Sequence, residues 1–167
     1  MNATSYQAVV CIPKFAPGFA LGICCDADQI TGIDFLQPRP EQAPKSLLAK
    51  EAVRQLRAYL ADPGYTFALP LAPAGTHFQR RVWQKIAAIP SGRRRSYGEL
   101  AADLKSGPRA VGGACGANPY PVVVPCHRVV AAGGGLGGFA RERGGFLLTI
   151  KRWLLDHEHG ALPGSLA

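Results

Sequence analysis

The sequence predicts an α/β domain at the N-terminus and a mainly helical, helix-turn-helix-like domain at the C-terminus. Three short apolar runs and one amphipathic segment come first. After a stretch rich in Pro and Gly, three short helical patterns follow. The chain has 167 residues, of which 47% are hydrophobic and 18% charged, which is typical of a protein with a sizeable core. We place the domains at residues 1–73 and 74–167.

The first domain begins with three predicted strands. Residues 5–12, 19–25 and 30–36 are short apolar runs bounded by Pro, Gly and Asp. A helix is predicted at about 45–61, because apolar side chains recur there at helical spacing while Lys and Arg lie opposite. The Pro and Gly residues that follow indicate a linker.

The second domain begins with three predicted helices. Thr76 is expected to cap the first, and the pattern Ser96-Tyr97-Gly98-Glu99 resembles a capping box that opens the second. Pro108 suits the first position of the third helix, which ends at about Gly116. Three short helices joined by compact turns make a helix-turn-helix arrangement plausible.

The third helix, RAVGGACG, has few side chains that could read bases. A glycine inside a helix costs about 1 kcal/mol relative to alanine, so Gly112 and Gly113 indicate a steric need. We interpret them first as sites of close helix–helix packing. The alternative is close approach of this backbone to a ligand, with Arg109 standing alone at the start of the helix.

The net charge of +8 is confined to the second domain. Thirteen of the 19 basic residues but only five of the 11 acidic residues lie from Ala74 onward, and three of the basic ones are the consecutive Arg93, Arg94 and Arg95. Such an excess is typical of proteins that bind polyanions, although it also occurs in proteins that bind none.

The cysteines indicate a reducing compartment. There are five, an odd number, without a C-x-x-C pair, which argues against a disulfide framework or a zinc ribbon. The N-terminus shows no secretory pattern, and Gly and Pro interrupt the longest uncharged stretch, residues 110–127. We therefore predict a cytoplasmic protein without membrane contact. Cys115, Cys24 and Cys25 are interpreted as structural.

A candidate nucleophile lies near the end of that stretch. After Val122-Val123-Val124, which we interpret as a buried strand, come Pro125-Cys126-His127-Arg128. A thiol attacks carbon as the thiolate, which a neighbouring base or positive charge favours. A Cys-His pair alone is weak evidence, since buried inert cysteines are common.

The surrounding motifs resemble a known family. GTHFQRRVWQKIAAIPSGRRRSYGELA, RAVGGACGANPYPVVVPCHRVV and KRWLLDHEHG are similar to segments of the O6-alkylguanine-DNA alkyltransferases, also called methylated-DNA–protein-cysteine methyltransferases. The resemblance covers about Gly75 to Gly160. It implies a ribonuclease-H-like N-terminal domain, a winged helix-turn-helix-like C-terminal domain and direct-reversal DNA repair. In that reaction Cys126 takes the alkyl group irreversibly from O6-alkylguanine, or from O4-alkylthymine, in duplex DNA after base flipping.

The resemblance also implies roles for individual residues. Cys126 would be the acceptor, His127 its base through a water, and Glu158 the group that orients His127. Asn118 would hold the turn that presents the thiol, and Tyr97 would donate a proton to the departing base. No metal and no cofactor are expected, partly because all four His residues lie after residue 74.

The implied partner is double-stranded alkylated DNA, bound through its minor groove by a monomeric protein. Arg109 would fill the space left by the flipped nucleotide. The residues expected to let the third helix approach DNA are Ala110, Gly112, Gly113 and Ala114. The candidate phosphate contacts are Arg93, Arg94, Arg95 and Arg128. The expected pocket residues are Phe139, Val129 and Val130.

Three departures from the family pattern affect this pocket. The loop between Tyr97 and Arg109 is short, Phe139 replaces a more usual Tyr, and the segment before Lys151 is long. Two other function classes stay open at this point. One is a non-catalytic helix-turn-helix lesion sensor or regulator; the other is a cysteine hydrolase, which adjacent Cys and His residues disfavour.

Overall fold

The computed structural model describes residues 4–12, 18–138 and 145–159. The chain divides into two compact units, residues 1–73 and 74–167. The first is a small sheet with one helix, and the second is mainly helical, which matches the predicted α/β and helical classes. None of the described helices is long and apolar enough to cross a membrane.

The first unit is built on a three-stranded antiparallel sheet in the order β1-β2-β3. Its elements are β1 (Ala8–Ile12), β2 (Phe19–Cys25), β3 (Ile30–Leu36) and the helix α1 (Leu47–Ala61). Ser46 caps α1, since its Oγ accepts a hydrogen bond from the Ala49 amide at 3.1 Å. The helix buries Leu56 and Tyr59. The strand and helix predictions for this unit are confirmed to within three residues at each end.

The described part of the second unit contains four α-helices and one short parallel strand pair. They are α2 (His77–Ala87), β4 (Arg95–Ser96), α3 (Tyr97–Leu104), α4 (Pro108–Gly116), β5 (Val129–Val130) and α5 (Gly145–His159). Thr76 and Gln79 form a complete capping box at the start of α2. At α3 only half of the predicted box forms: Ser96 Oγ accepts from the Glu99 amide at 3.0 Å, while the Glu99 carboxylate lies 3.5 Å from Arg95.

The helices α2, α3 and α4 share one apolar core. Val82, Leu100 and Val111, one from each helix, are completely buried. Trp83 adds a directional link, because its indole Nε1 donates to the Ala114 carbonyl at 2.8 Å. The predicted helices are therefore fixed against one another at the end of α4, next to the segment that carries Cys126.

The predicted buried strand at residues 122–124 is wrong. This segment is a turn in which the Val124 amide donates to the Tyr120 carbonyl at 2.8 Å. Pro119 and Pro121 have no N–H to donate to a strand partner. Val122 adopts a φ of 74°, which is strained for a β-branched residue.

Candidate active site

A buried carboxylate holds the imidazole next to the candidate nucleophile. Cys126 and His127 lie in a single 3-10 turn that follows Pro125, and Glu158 reaches them from α5. His127 Nε2 lies 2.7 Å from Glu158 Oε1, and both side chains are almost completely shielded from solvent. The structure thus brings Glu158 to the adjacent residues Cys126 and His127, although it lies 31 positions after His127 in the chain.

The charges of this pair fix which nitrogen carries the proton. Burial raises the pKa of Glu158, but hydrogen bonds from His127 and Arg128 outweigh it and hold the pKa at about 2. Burial lowers the pKa of His127 in spite of Glu158, so the imidazole is neutral at pH 7. A carboxylate can only accept, so Nε2 carries the hydrogen. Nδ1 is left as an acceptor, buried and without a hydrogen-bond partner among the described residues.

Asn118 fixes the turn before the thiol. Its Nδ2 donates to the Val124 carbonyl at 2.8 Å and lies 3.2 Å from Cys126 Sγ, while its Oδ1 accepts from the Tyr120 amide at 2.9 Å. The pKa of Cys126 is raised by a hydrogen bond with the Cys115 thiol and by burial, against the lowering effects of Asn118 and of the Lys151 charge. The resting thiol is therefore protonated.

Tyr97 closes another side of the site. It begins α3, and its hydroxyl donates to the Gly138 carbonyl at 3.1 Å. Burial, followed by the nearby Cys115 and Cys126 thiols, raises the pKa of Tyr97 above its ordinary value. Gly137 packs under the ring with a φ of 69°, and a Cβ there would lie 2.9 Å from a ring carbon. Both constraints require glycine at this position.

Lys151 is a site residue that sequence reasoning missed. Its ammonium is buried and donates to the carbonyls of Val129, Leu136 and Gly138 at 2.7, 2.7 and 2.9 Å. The Nζ also lies 5.7 Å from the centre of the Tyr97 ring. Burial lowers the pKa of Lys151 to about 8, which leaves it charged at neutral pH. The sequence signal that could have revealed it is the position of this lysine within the apolar stripe of α5.

Comparison with known proteins identifies the family. Residues 77–160 match the family model described as 6-O-methylguanine DNA methyltransferase, DNA binding domain. This chain belongs to the methylated-DNA–protein-cysteine methyltransferase family. The relative from Methanosarcina acetivorans is 45% identical over 111 residues, which cover 65% of this chain and 68% of that protein. The relative from Mycobacterium leprae is 47% identical over 125 residues, covering 74% and 73%.

A solved structure shows the same fold. The crystal structure of Mycobacterium tuberculosis OGT in complex with DNA aligns with a TM-score of 0.71 at 36% identity, covering 87% of this chain and 90% of that one. The archaeal O6-methylguanine-DNA methyltransferase from Pyrococcus kodakaraensis aligns with a TM-score of 0.59 at 26% identity, covering 90% and 97%. The fold of both units is therefore that of the methyltransferase family.

Arg128 has a different role in this methyltransferase from the one predicted. Its guanidinium binds both oxygens of Glu158, at distances from 2.7 to 3.0 Å, and donates to the Ile89 carbonyl at 2.6 Å. These bonds engage all three guanidinium nitrogens of a side chain that is only 11% exposed, so the structure shows an internal ion pair where a phosphate contact was predicted. Arg95 is likewise engaged, by Asp103 at 2.7 Å and by Glu99.

Burial corrects the roles predicted for three further residues. The Ala114 side chain is only 2% exposed, because it faces the helical core, so it cannot contact DNA. Val129 is completely buried and Val130 nearly so, which leaves little side-chain surface for a substrate. Their position beside the site is set by β5, which pairs with β4. Phe139 lies outside the described residues.

The exposed side of α4 has no packing partner among the described residues. Arg109, Ala110 and Gly113 are exposed, and Gly112 is half-buried. A Cβ on Gly113 would meet no described atom within 4 Å, and one on Gly112 would meet only a Tyr97 ring carbon at 4.0 Å. Close helix packing, our first interpretation of these glycines, is therefore wrong, and the alternative of close approach to a ligand remains.

Proposed function

We propose that this chain repairs DNA by moving an alkyl group from O6 of guanine in duplex DNA to Sγ of Cys126, once per molecule. The observation that carries the proposal is the buried Cys126–His127–Glu158 arrangement, found in a chain of this family. O4-alkylthymine presents the same alkyl–oxygen bond and is included in the proposed substrates. The product thioether is stable, so the reaction is stoichiometric.

The proton path follows from the charge states. His127 Nδ1 takes the Cys126 proton through a water, and the thiolate attacks the alkyl carbon. The S–C bond forms as the C–O bond breaks, and the electron pair stays on the base oxygen. Tyr97 gives a proton to the departing guanine. Because thiol and imidazole are both neutral at rest, thiolate forms only when the base acts.

We assign DNA binding to α3 and α4 in a winged helix-turn-helix-like arrangement. The minor groove is about 6 Å wide, and the small, exposed residues Ala110 and Gly113 support an approach of α4 to it. Arg109 occupies the space that the flipped nucleotide leaves, since flipping costs a few kcal/mol. Arg93 and Arg94 are exposed, form no ion pair with described residues, and are the remaining phosphate contacts.

Three finer features belong to the same proposal. The antiparallel sheet followed by α1 supports a ribonuclease-H-like first unit. The five free thiols support action in the cytoplasm. The protein acts as a monomer on double-stranded DNA, since one copy carries the whole proposed site.

Mass spectrometry after incubation with O6-methylguanine duplex tests the acceptor. We expect the peptide containing Cys126 to gain one methyl group in place of a hydrogen, with equal loss of lesion. Cys126→Ala should leave the lesion intact, while Cys11→Ala, a matched change in the other unit, should react like the unmodified chain. Repair by Cys126→Ala would overturn the proposal; binding without repair by the unmodified chain would favour a lesion sensor. Repeated turnover of a thioester would favour a hydrolase.

A further inference from the structure

Arg128 binds the carboxylate on which His127 depends. Its Nε donates to the two oxygens of Glu158 at 2.9 and 3.0 Å, and its Nη2 donates to Oε2 at 2.7 Å. Its Nη1 donates to the Ile89 carbonyl at 2.6 Å. The guanidinium is therefore held in one orientation against both carboxylate oxygens, although the proposed alkyl transfer gives it no part.

The buried cluster is electrically neutral only when His127 carries no charge. Glu158 contributes one negative charge and Arg128 one positive charge, and their side chains are 1% and 11% exposed. A further proton on the buried imidazole would give the three groups a net positive charge, which burial disfavours. Without Arg128, the carboxylate and a neutral imidazole would carry a net negative charge, and uptake of one proton would make the pair neutral.

Uptake of that proton places a hydrogen on His127 Nδ1 in either of two states. If the imidazole holds the proton, both ring nitrogens carry a hydrogen and Glu158 stays ionised. If Glu158 holds the proton, its hydroxyl donates to Nε2, and the hydrogen of the neutral ring lies on Nδ1. In both states Nδ1 is unable to accept the Cys126 proton.

We propose that Arg128 is a positioning residue that keeps His127 Nδ1 without a hydrogen, and so able to accept a proton, by neutralising Glu158. The consequence for repair rests on the proposed function; the effect on the imidazole does not. Arg128 acts through the carboxylate and touches neither the thiol nor the substrate.

Other polar and ionisable groups lie near the cluster. Lys151 binds three backbone carbonyls, and its charge acts on His127 in the same direction as that of Arg128. The Ser91 hydroxyl donates to Glu158 Oε2 at 3.3 Å. The remaining groups are the thiol of Cys126 and the side chains that line a recess beside Glu158, namely Arg93, Arg94 and His159. Arg128 differs from all of these because its permanent charge is hydrogen-bonded to both carboxylate oxygens.

Nitrogen-15 NMR of the histidine side chains tests the charge state without DNA, since it distinguishes a ring nitrogen that carries a hydrogen from one that does not. Loss of signals in His127→Asn identifies His127. In the unmodified full-length chain, Nδ1 should carry no hydrogen at pH 7 and gain it only below the ordinary histidine pKa of about 6.5. In Arg128→Met it should carry the hydrogen at pH 7. Nδ1 without a hydrogen in this variant at pH 7 would overturn the proposal, as would a gain at or above pH 6.5 in the unmodified chain.

Three further variants separate charge from packing. Arg128→Gln gives the same expectation as Arg128→Met and replaces it if that variant does not fold. Arg128→Lys keeps the charge and should keep Nδ1 without a hydrogen at pH 7. Arg128→Met combined with Glu158→Gln removes both charges and should do the same, because a neutral imidazole again makes the cluster neutral. If every one of these variants places a hydrogen on Nδ1, packing controls the ring and the proposal fails.

Single-turnover repair of O6-methylguanine duplex at saturating protein tests the consequence. Arg128→Met should react more slowly than the unmodified chain by about tenfold or more at pH 7. The difference should narrow toward pH 8.5 as the hydrogen leaves Nδ1. Arg54→Met, which removes an arginine paired with Glu51 in the first unit, should react like the unmodified chain at both pH values. A rate difference that is the same at both pH values would overturn the role of Arg128 in repair. If Nδ1 responds as expected but the rate does not, Arg128 controls the ring and the proposed base role of His127 fails.

Discussion

Glu158 is a buried carboxylate that accepts hydrogen bonds from both His127 and Arg128. Its pKa is held at about 2, against an ordinary 4.5, so folding favours its charged form. The ionised carboxylate contributes fully to the free energy of unfolding above pH 4.5. This contribution is lost as the pH falls toward 2, and it amounts to about 3 kcal/mol. The same carboxylate fixes the imidazole tautomer that the proposed base requires.

Glu158→Gln should therefore affect both stability and rate. Denaturant unfolding between pH 7 and pH 2 should show a weaker dependence on pH than in the unmodified chain, because the buried titrating group is gone. Alkyl transfer at pH 7 should slow by about 100-fold, the scale of general-base catalysis. Asp28→Asn, at an exposed carboxylate of the first unit, is the control and should change neither quantity appreciably. An unchanged transfer rate would remove Glu158 from the proton path.

Arg109→Ala separates base flipping from alkyl transfer. Arg109 is exposed at the start of α4, and its proposed task exists only when a nucleotide leaves a duplex. Repair of O6-methylguanine in duplex DNA should slow by about tenfold or more, as expected when a flipping cost of a few kcal/mol is no longer offset. The reaction with free O6-benzylguanine should keep its rate. Arg152→Ala, another exposed arginine, should leave both rates unchanged, whereas equal slowing of both by Arg109→Ala would exclude the finger role.

The site residues that sequence reasoning found are those with a recognisable motif. Asn118, Cys126 and His127 lie within one short segment, and Glu158 ends a helix that resembles the family's. Lys151 was missed because its three acceptors are backbone carbonyls, which leave no trace in the sequence. Arg128 was assigned to DNA because its partner Glu158 is 30 positions away, and no local pattern reveals such an ion pair.

The elements themselves were predictable where local signals agree. Capping residues and apolar spacing placed α1, α2, α3 and α4 close to their observed bounds. The sequence signals a turn at Asn118–Pro121, but its continuation through residues 122–124 was not predicted, since three consecutive valines favour a strand. The Asn118 side chain holds the backbone in this turn, because it donates to the Val124 carbonyl and accepts from the Tyr120 amide.

The glycines of α4 make the helix less stable but leave room for the proposed approach to DNA. Nothing in the described residues prevents a side chain at Gly113, so Gly113→Ala should raise the free energy of unfolding by about 0.5–1 kcal/mol. The added methyl group faces the proposed DNA partner, so duplex repair should slow while the reaction with free O6-benzylguanine does not. A Gly113→Ala variant that is more stable and repairs duplex equally well would contradict the placement of α4.

Across the whole molecule, the two units differ in charge. The excess of +8 lies in the second unit, which also carries every residue of the proposed site. The sequence alone showed this asymmetry, but it could not show which arginines are free. The structure distinguishes two groups of arginines. Arg95 and Arg128 form internal ion pairs. Arg93 and Arg94 are exposed.

Salt dependence of binding distinguishes free from paired arginines. Each phosphate contact contributes about 0.9 to the slope of log affinity against log salt concentration, so replacing both Arg93 and Arg94 by alanine should reduce that slope by nearly two. The matched control replaces Arg54 and Arg57 of the first unit by alanine, which removes the same formal charge. These two arginines pair with Glu51 and Glu41. If both double variants lower the slope equally, net charge rather than contact attracts DNA. If the slope falls only when Arg93 and Arg94 are replaced, the phosphate backbone lies beside β4, at the start of the helices proposed to enter the groove.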